Sequence, residues 1–532
     1  MDFLALLMLL VIDTSASWVR MFAALGLSIL ISVLVGIYAA THPRAEKLIL
    51  PVVDILQTIP ILAFFPFAIL IFIAILPGYI GINAAVIFLI VTSMLWNIIL
   101  AVYESIKTLP LEFIEISEIY RFDRWTRLKK IYFPACFPRI VEQSILSWSI
   151  GLFYLVTSEI FSTGNASYKV VYGIGVAFTA LPALGVGAYL LGILVFIAFV
   201  VATRFLFFRP LENYAIRYTR TEPKITKRRY ENILVGWISN RVQKTPAAIL
   251  YKSVRDRTLR GGVESHIQRR RHIAASMEQT KNYWKIVYRI IFIAAVIGVV
   301  YIFLSNPTVL GYELQVLPAL GASLVRIWVA FAVMLAITIP LCIYLTFRSR
   351  QSSKYMLLFQ IIASIPATIL LPAIAVVLSN YNFHGELVAF VIFVLSGIWY
   401  VVFSIIASTR TLPQSIFEVQ KIFGVKGTNA WKNIYLKAIL PGLITGAMTG
   451  IAAEWNASIV AEYFTTSGIS GSNVISSVGT GLGKLLDLSL AQGPQGLGLM
   501  AVALLNLVVV ILLINTFVWK RLYKQVSKIY GG

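Results

Sequence analysis

The chain has few residues of the kinds that build metal or redox sites. Its two cysteines, Cys136 and Cys342, are too few for a disulfide framework and lie in no metal-binding spacing. The four histidines are scattered, which disfavours a histidine-based site. Charged residues make up 13% of the 532 residues, against about 25% in a typical soluble domain. The composition therefore disfavours a soluble protein, and we predict neither a metal site nor a cofactor on this chain.

Apolar residues are abundant, at 59% of the chain. They form repeated runs long enough to cross a hydrocarbon core of about 30 Å as helices. We predict an all-α polytopic membrane protein with two tandem parallel repeats of five to six helices each, about eleven in total and twelve at most. The predicted spans are 17–40, 55–75, 80–103, 139–161, 184–207, 286–304, 317–345, 355–378, 387–408, 442–463 and 497–519. The apolar stretch 3–12 is too short to span comfortably and is predicted to be a shortened or vestigial first helix.

Basic residues outnumber acidic ones by 22 (45 − 23). Nucleic-acid binding is one reading of such a charge. The basic residues, however, collect in loops that eleven crossings place on one side of the membrane. The positive-inside rule then puts those loops and the C-terminus in the cytoplasm. We therefore interpret the charge as a topology signal.

Two polar segments of the chain are copies of each other. They begin at Leu109-Pro110 and Leu412-Pro413, at an offset of 303 residues (412 − 109). We predict a first membrane repeat over 1–208, a basic cytoplasmic linker over 209–285 and a second membrane repeat over 286–532. Parallel repeats of this kind place a substrate path at the interface between the halves. The linker has a net charge of +12 (18 − 6), and both a passive tether and a regulatory or partner-binding role remain open for it.

The repeated segments carry polar residues and prolines at matching positions. These are Glu115, Ser117, Arg121, Pro134 and Pro138 in the first repeat, and Glu418, Gln420, Gly424 and Pro441 in the second. The segments are too charged to lie in lipid and fit a short surface helix that prolines end before the next crossing. Solvated charges alone would not require the same residues at one offset. We therefore predict that both segments dock a partner.

This pattern resembles the cytoplasmic loop of permease subunits in binding-protein-dependent ABC importers, where Glu-Ala-Ala is followed by three residues, Gly, and a run ending in Leu-Pro. The flanking Ser-Leu-x-Arg, Ile-Pro and Ala-Glu elements look most like nitrate/sulfonate/taurine-type permeases. The duplicated layout resembles the anion-transport branch with two fused permease units. The resemblance covers nearly the whole chain except the linker and the extreme N-terminus. It is specific for the superfamily but weak for substrate.

The resemblance implies a set of partners. The loops 115–131 and 418–434 would dock into two cytoplasmic ATPase subunits, which hold ATP and Mg. An external substrate-binding protein would deliver the ligand, and the chain itself would be a non-catalytic, multi-pass protein of a prokaryotic inner or plasma membrane. The chain carries no ATPase of its own: Gly479–Leu485 resembles a phosphate loop but lacks its first glycine and its final Ser or Thr. We predict a flexible external loop there.

The two loops depart from the family pattern in different ways. The second keeps the glycine as Gly424 but has Val419-Gln420 in place of Ala-Ala, whereas the first has Arg121 at the glycine position. Arg121 must either be helical or adopt a positive φ, which is uncommon for a non-glycine residue. We therefore predict unequal loops, with the second coupling more strongly.

Polar residues inside the predicted membrane helices are candidates for the translocation path or its gates. They are Glu454, Asn456, Glu159, Glu462, Arg20 and Arg326. Glu454 is the sharpest path candidate, with a buried, hydrogen-bonded glutamate as the alternative. The paired acids Glu159 and Glu462 suggest a structural or gate role. The paired arginines either snorkel to the headgroups or form an electropositive entrance.

Prolines recur at membrane depth in both repeats. Pro60, Pro66, Pro366 and Pro372 are predicted to break helices where the backbone lines a cavity or packs on protein. The sequence as a whole predicts a fused permease for a small anion of the nitrate, sulfonate or bicarbonate kind. A permease for iron(III) or an organic solute remains an alternative, as does a secondary transporter or channel.

Overall fold

The computed structural model describes residues 2–57, 59–76, 78–162, 170–218, 307–345, 359, 362–363, 365–409, 427–467, 473–522 and 525–526. Eight helical segments in this part of the chain are long and apolar enough to cross a membrane. They are Phe3–Thr41, Tyr79–Lys107, Arg124–Phe161, Val186–Tyr218, Thr308–Ile343, His384–Thr409, Leu436–Ala461 and Gly493–Leu522. The predicted fold class, an all-α multi-pass protein with tandem repeats, is confirmed. The predicted span 286–304 lies outside the described residues, as does the start of 355–378.

The first repeat consists of ten α-helices in the described residues. They are α1 (Phe3–Thr41), α2 (Pro43–Leu56), α3 (Phe65–Ile75), α4 (Tyr79–Lys107), α5 (Leu111–Ile119), α6 (Arg124–Arg127), α7 (Phe133–Ser162), α8 (Ile174–Ala180), α9 (Val186–Thr203) and α10 (Arg209–Ala215). Short 3₁₀ turns occur at Ile61–Phe64, Leu181–Leu184 and Ile216–Tyr218, and π turns at Leu128–Tyr132 and Arg204–Phe208.

The described residues of the second repeat form seven α-helices and a β-hairpin. Its described helices are α11 (Pro307–Ile343), α12 (Ala367–Leu378), α13 (His384–Thr409), α14 (Gly427–Ala430), α15 (Leu436–Ala461), α16 (Leu482–Ala491) and α17 (Leu497–Ile514). Strands β1 (Tyr463–Ser467) and β2 (Asn473–Ser477) pair antiparallel, with Thr465 opposite Ile475. A 3₁₀ turn spans Gly493–Gly496, and π turns span Trp431–Tyr435 and Asn515–Trp519.

The two repeats, as residues 1–219 and 311–532, form one compact unit, and residues 220–310 are assigned to another. Buried apolar side chains of both repeats join in a single core, which includes Met21 and Leu89 from the first repeat and Met334 and Ile392 from the second. The interface between the halves therefore belongs to the packed interior.

The prediction of a vestigial first helix at 3–12 was wrong. Helix α1 runs without a break over 39 residues, about 58 Å at 1.5 Å per residue. Polar residues just after the apolar stretch continue the helix, because the hydroxyls of Thr14 and Ser15 donate to the carbonyls of Leu10 and Val11. The equivalent helix α11 of the second repeat is nearly as long, at 37 residues.

The proline predictions were half right. Helix breaks precede α3 and α12 at Pro60 and Pro366, because proline lacks an N–H and disfavours helix in the residue before it. The predicted span 55–75 is therefore two helices. Pro66, in contrast, lies in the first turn of α3, where no N–H is needed, and Pro372 lies inside α12.

The prediction that prolines end the surface helices of the repeated segments was wrong. The chain stays helical from Arg124 to Ser162, and Pro138 and its counterpart Pro441 lie inside α7 and α15. A π turn precedes each proline at the same offset of 303 residues (431 − 128). Pro134 has Lys437 as its counterpart, so the π turn does not require a proline at that position.

Candidate translocation site and coupling segment

The start of the broken helix in the first repeat contacts the second repeat. Leu62, two residues after Pro60, donates its backbone N–H to the side-chain oxygen of Asn456 at 3.2 Å. Asn456 lies in α15 and also donates to the carbonyl of Ala452. The Tyr154 hydroxyl is hydrogen-bonded to Asn456 as well. The predicted path residue Asn456 thus lies at the interface between the halves.

The start of the broken helix in the second repeat also contacts the first repeat, through different groups. Thr368 follows Pro366 as Leu62 follows Pro60, and its hydroxyl lies 3.3 Å from that of Thr157 in α7. The Tyr189 hydroxyl donates to the carbonyl of Ile369. Two helix N-termini therefore lie at the interface, each contacted by neutral polar groups of the other half. Helix N-termini carry partial positive charge, which favours anions.

Glu454 does not face the interface between the halves, although it is only two residues from Asn456. Its carboxylate contacts Gly397 of α13, within the same repeat, where a β-carbon would come within 2.8 Å of it. The residue is fully buried, and neither carboxylate oxygen has a hydrogen-bond partner among the described residues. The structure therefore places Glu454 inside the helix packing of the second repeat.

Glu159 and Arg20 form a buried ion pair in the first repeat. Arg20 Nη1 lies 2.7 Å from Glu159 Oε1, and the exposed fractions of the two side chains are 5% and 0%. Ser17 donates to the same carboxylate at 2.7 Å. The carboxylate also accepts the backbone N–H of Gly175 at 2.9 Å, and Ser17 Oγ accepts that of Ile174. We call this set the first clasp, since it fixes the N-terminus of α8 to α1 and α7.

The second repeat contains the equivalent clasp. Glu462 accepts the N–H of Gly483 at 2.8 Å, and Ser323 Oγ accepts that of Leu482 at 2.8 Å. Arg326 Nη1 is 3.4 Å from Glu462 and also forms two hydrogen bonds with Glu386. Asn83 is the first-repeat counterpart of Glu386 (386 − 303) and accepts from Arg20. Arg326 therefore contacts two carboxylates directly. Arg20 contacts one, and the carboxylate of Asp13, which accepts the N–H of Gly173 at 3.3 Å, acts on Arg20 only electrostatically.

The clasps change the interpretation of the paired arginines. Arg20 is 4% exposed, so it does not snorkel to the headgroups. Its charge is also compensated by Glu159, which removes the electropositive entrance at this position. The paired acids accept backbone N–H groups in the first turns of α8 and α16, and their predicted structural or gate role stays a prediction.

Glycines that the sequence reasoning missed make the clasps possible. A β-carbon on Gly173 or Gly175 would come within 2.7 Å of atoms of Glu159 or its helix backbone, and one on Gly481 within 2.4 Å of Glu462. The sequence does contain a pattern that could have identified these glycines: two Gly-x-Gly sequences, 173–175 and 481–483, spaced by 308 residues. The predicted flexible loop at Gly479–Leu485 was wrong, because this segment leads directly into α16.

The first repeated segment forms two helices joined by a tight turn. Arg121 follows α5 with φ 48°, so the positive-φ alternative is confirmed. The N–H of Phe122 bonds to the carbonyl of Ser117 at 2.8 Å, which is the hydrogen bond of a Schellman C-cap. Asp123 then caps α6 by accepting from the N–H groups of Trp125 and Thr126. Hydrogen bonds from Thr126 and Trp125 lower the pKa of the Asp123 carboxyl.

The outer surface of this segment combines apolar and basic side chains. Ile119, Tyr120 and Trp125 are 76%, 70% and 60% exposed. Lys129 lies over the Trp125 ring at 4.6 Å, and Glu115 is exposed on α5. Such a surface is suited to a protein cleft rather than to lipid alone. The corresponding Glu418, Gln420 and Gly424 lie outside the described residues.

The end of α1 lies on the same side as the repeated segment. Glu46, in the first turn of α2, accepts hydrogen bonds from Lys107 and Tyr103 at 2.6 Å, just before α5 begins. Burial raises the pKa of the Glu46 carboxyl, but these bonds and the Lys107 charge outweigh it and lower that pKa overall. Among the described residues, no group of three or more His, Cys, Asp or Glu side chains is placed to hold a metal ion.

Comparison with known proteins identifies the family. Residues 32–209 and 329–518 each match the family described as "Binding-protein-dependent transport system inner membrane component". Similar curated proteins include the nitrate import permease protein NrtB of Synechocystis sp., 29% identical over 146 residues, which are 26% of this chain and 50% of the relative. The bicarbonate transport system permease protein CmpB of the same organism is 24% identical over 152 residues, 29% of this chain and 52% of the relative. The chain spans about half the length of the curated relatives it matches. This chain therefore belongs to the family of inner membrane components of binding-protein-dependent transport systems, and it contains the family's domain twice.

Proposed function

We propose that the chain is the fused permease of an ABC importer for a small oxyanion. The observation that carries the anion assignment is the interface between the halves, where two helix N-termini meet neutral hydrogen-bonding groups. Asn456, Thr157 and Thr368 supply such groups without a fixed charge. Helix dipoles and neutral polar groups suit an anion that must be bound weakly enough to be released. The similarity to nitrate and bicarbonate permeases supports the same class of substrate.

Coupling would occur through the repeated segments. In this proposal, the exposed face of residues 111–127 and the equivalent face of the second repeat each dock into one cytoplasmic ATPase subunit. The helix that continues from α6 into α7 would carry movement of the ATPase to Thr157 at the interface. An external binding protein would deliver the anion, and the C-terminus would lie in the cytoplasm.

Reconstitution tests this proposal directly. The chain, its ATPase and its binding protein are placed in proteoliposomes, and uptake of labelled nitrate and bicarbonate is followed with and without ATP. We expect ATP-dependent uptake of at least one anion, retention of the ATPase during purification, and its release when Glu418 and Gly424 are replaced. Asn456→Asp should reduce uptake about tenfold or more by adding a like charge at the interface, whereas Asn456→Gln should retain it. Uptake by the chain alone without ATP would overturn the importer assignment in favour of a secondary transporter or channel.

A further inference from the structure

A small cavity lies between the two repeats, beside the contacts made by Thr157. Its lining comes from Ile160 and Phe161 of α7 in the first repeat and, in the second repeat, from the end of α15, strand β1 and helix α16. Ile160 is three residues after Thr157, about one helical turn further toward the clasps. The cavity, about 10 Å³ in volume, therefore lies close to both the interface contacts of Thr157 and the clasps.

The cavity contains both donors and an acceptor. The polar side chains in its lining are Tyr463, Thr465 and Asp487, and the remaining ones, Val460 and Phe464 among them, are apolar. Tyrosine and threonine hydroxyls can donate to an anion, whereas an ionised carboxylate can only accept. Asp487 has no hydrogen bond or ion pair with another described residue. Its carboxylate oxygens therefore remain able to accept a hydrogen bond from a group in the cavity.

The acid occurs in one repeat alone. Ile174 and Leu482 are equivalent in the two clasps, which makes Thr179 the counterpart of Asp487 (487 − 308). Thr179 directs its hydroxyl to the carbonyl of Val176. The cavity between the halves is therefore lined by the carboxylate of Asp487 from the second repeat, where the first repeat has a threonine. If the anion passes here, this carboxylate must affect which anions can pass.

Oxyanions differ in whether they carry a proton. Nitrate has acceptor oxygens alone, so an ionised carboxylate repels it without compensation. Bicarbonate carries an O–H, which can donate a charge-assisted hydrogen bond to a carboxylate while its other oxygens accept from hydroxyls. We propose that Asp487 makes the path selective for oxyanions that carry a proton, of the bicarbonate class, over nitrate. This inference rests on the proposed function and names the substrate class for it.

The charge state of Asp487 adds a pH dependence. Burial raises the pKa of Asp487, in a helix outside the eight spanning segments, to about 7. The other charged groups nearby are engaged: Glu159 and Glu462 are held in the clasps, and Lys484 donates to the carbonyls of Val478 and Gly479. Tyr463 is the other titratable side chain in the lining. Selectivity should therefore be strong above pH 7 and weaken below it, where the protonated acid becomes a donor to either anion.

The test uses the full transporter in proteoliposomes, with the same binding protein throughout, and compares initial ATP-dependent uptake of bicarbonate and nitrate. Because the binding protein is constant, a change in the uptake ratio between variants reports the permease. At pH 8, Asp487→Asn should lower the bicarbonate-to-nitrate ratio roughly tenfold, and Asp487→Glu should largely preserve it. Glu142→Gln, the same chemical change at an exposed position of α7, is the control and should leave the ratio unaltered.

The wild-type protein provides a second measurement, which does not depend on whether a variant folds. Its bicarbonate-to-nitrate uptake ratio, corrected for the bicarbonate concentration at each pH, should fall toward that of Asp487→Asn as the pH is lowered from 8 to 6. An unchanged ratio in Asp487→Asn at pH 8, or a wild-type ratio that does not vary with pH, would overturn the inference while leaving the importer intact. Absence of ATP-dependent uptake of either anion by the wild type would instead overturn the proposed function on which it rests.

Discussion

Glu454 and Gly151 occupy equivalent positions in the two repeats (454 − 303), but their surroundings are exchanged. In the first repeat Gly151 packs against Met94, and in the second Gly397, the counterpart of Met94, packs against Glu454. The small and the large residue have changed helices, so the close helix crossing is preserved. Glu454 therefore fills the volume of an apolar side chain.

This exchange predicts the effect of Glu454→Met. Removing a buried, unpartnered carboxyl should stabilise the protein by about 1–3 kcal/mol, raise the midpoint of thermal unfolding and leave uptake unchanged. Glu454→Gln, which keeps a buried polar group of the same shape, should give a smaller gain. A folded Glu454→Met protein that has lost uptake would place the carboxylate on the path instead.

At the level of elements, the two clasps each hold a helix N-terminus but differ in the number of carboxylates that contact the arginine. In the first clasp one carboxylate, Glu159, contacts Arg20, whose side chain is 5% exposed, while Asp13 acts on Arg20 without direct contact. The second has two carboxylates for Arg326, whose side chain is 18% exposed. Loss of one carboxylate should therefore have different consequences in the two repeats.

We expect Glu159→Gln to destabilise the protein by about 3 kcal/mol, because a buried guanidinium would lose the carboxylate that contacts it and keep only the weaker interaction with Asp13. Glu462→Gln should cost clearly less, since Glu386 remains beside Arg326. Thermal unfolding of the two variants in the same detergent compares them, and the double variant Glu386→Gln/Glu462→Gln should match Glu159→Gln. Equal shifts for the two single variants would show that Glu386 does not compensate.

At the scale of the whole molecule, one polypeptide contains two repeated polar segments of unequal sequence, which we propose to couple to the ATPase. The first adopts the required turn with Arg121 at positive φ, a conformation that costs a non-glycine residue about 1–2 kcal/mol. The second has Gly424 at this position, and glycine adopts the conformation without that cost. The stronger coupling of the second segment stays a prediction.

Separate disruption of the segments measures this asymmetry. Glu418→Ala should reduce substrate-stimulated ATP hydrolysis several-fold more than Glu115→Ala in the reconstituted transporter. Arg121→Gly, which relieves the turn of the first segment, should narrow the difference when combined with Glu418→Ala. Equal losses from the two alanine variants would count against unequal coupling.

The sequence by itself determined the membrane class, the tandem repeat, the two repeated polar segments and the equivalence of Arg20 with Arg326 and of Glu159 with Glu462. These features depend on the length of apolar runs and on residue spacing, which are properties of the chain alone. Docking of a partner by these segments stays a prediction. One of the two conformations predicted for Arg121, a positive φ, is the one observed, since a single non-glycine residue at a turn has few conformations open to it.

The tertiary structure alone decided which polar groups meet. Residues two apart on a helix point about 200° apart, so Asn456 faces the other repeat while Glu454 faces its own, and sequence position cannot distinguish them. The joining of each arginine to an acid more than 130 residues away, and the glycines that admit those acids to a helix N-terminus, likewise depend on how helices cross. Asp487 acquired its place between the halves in the same way, because the packing of α16 against α7 and β1, and not its neighbours in the chain, brings it to the cavity.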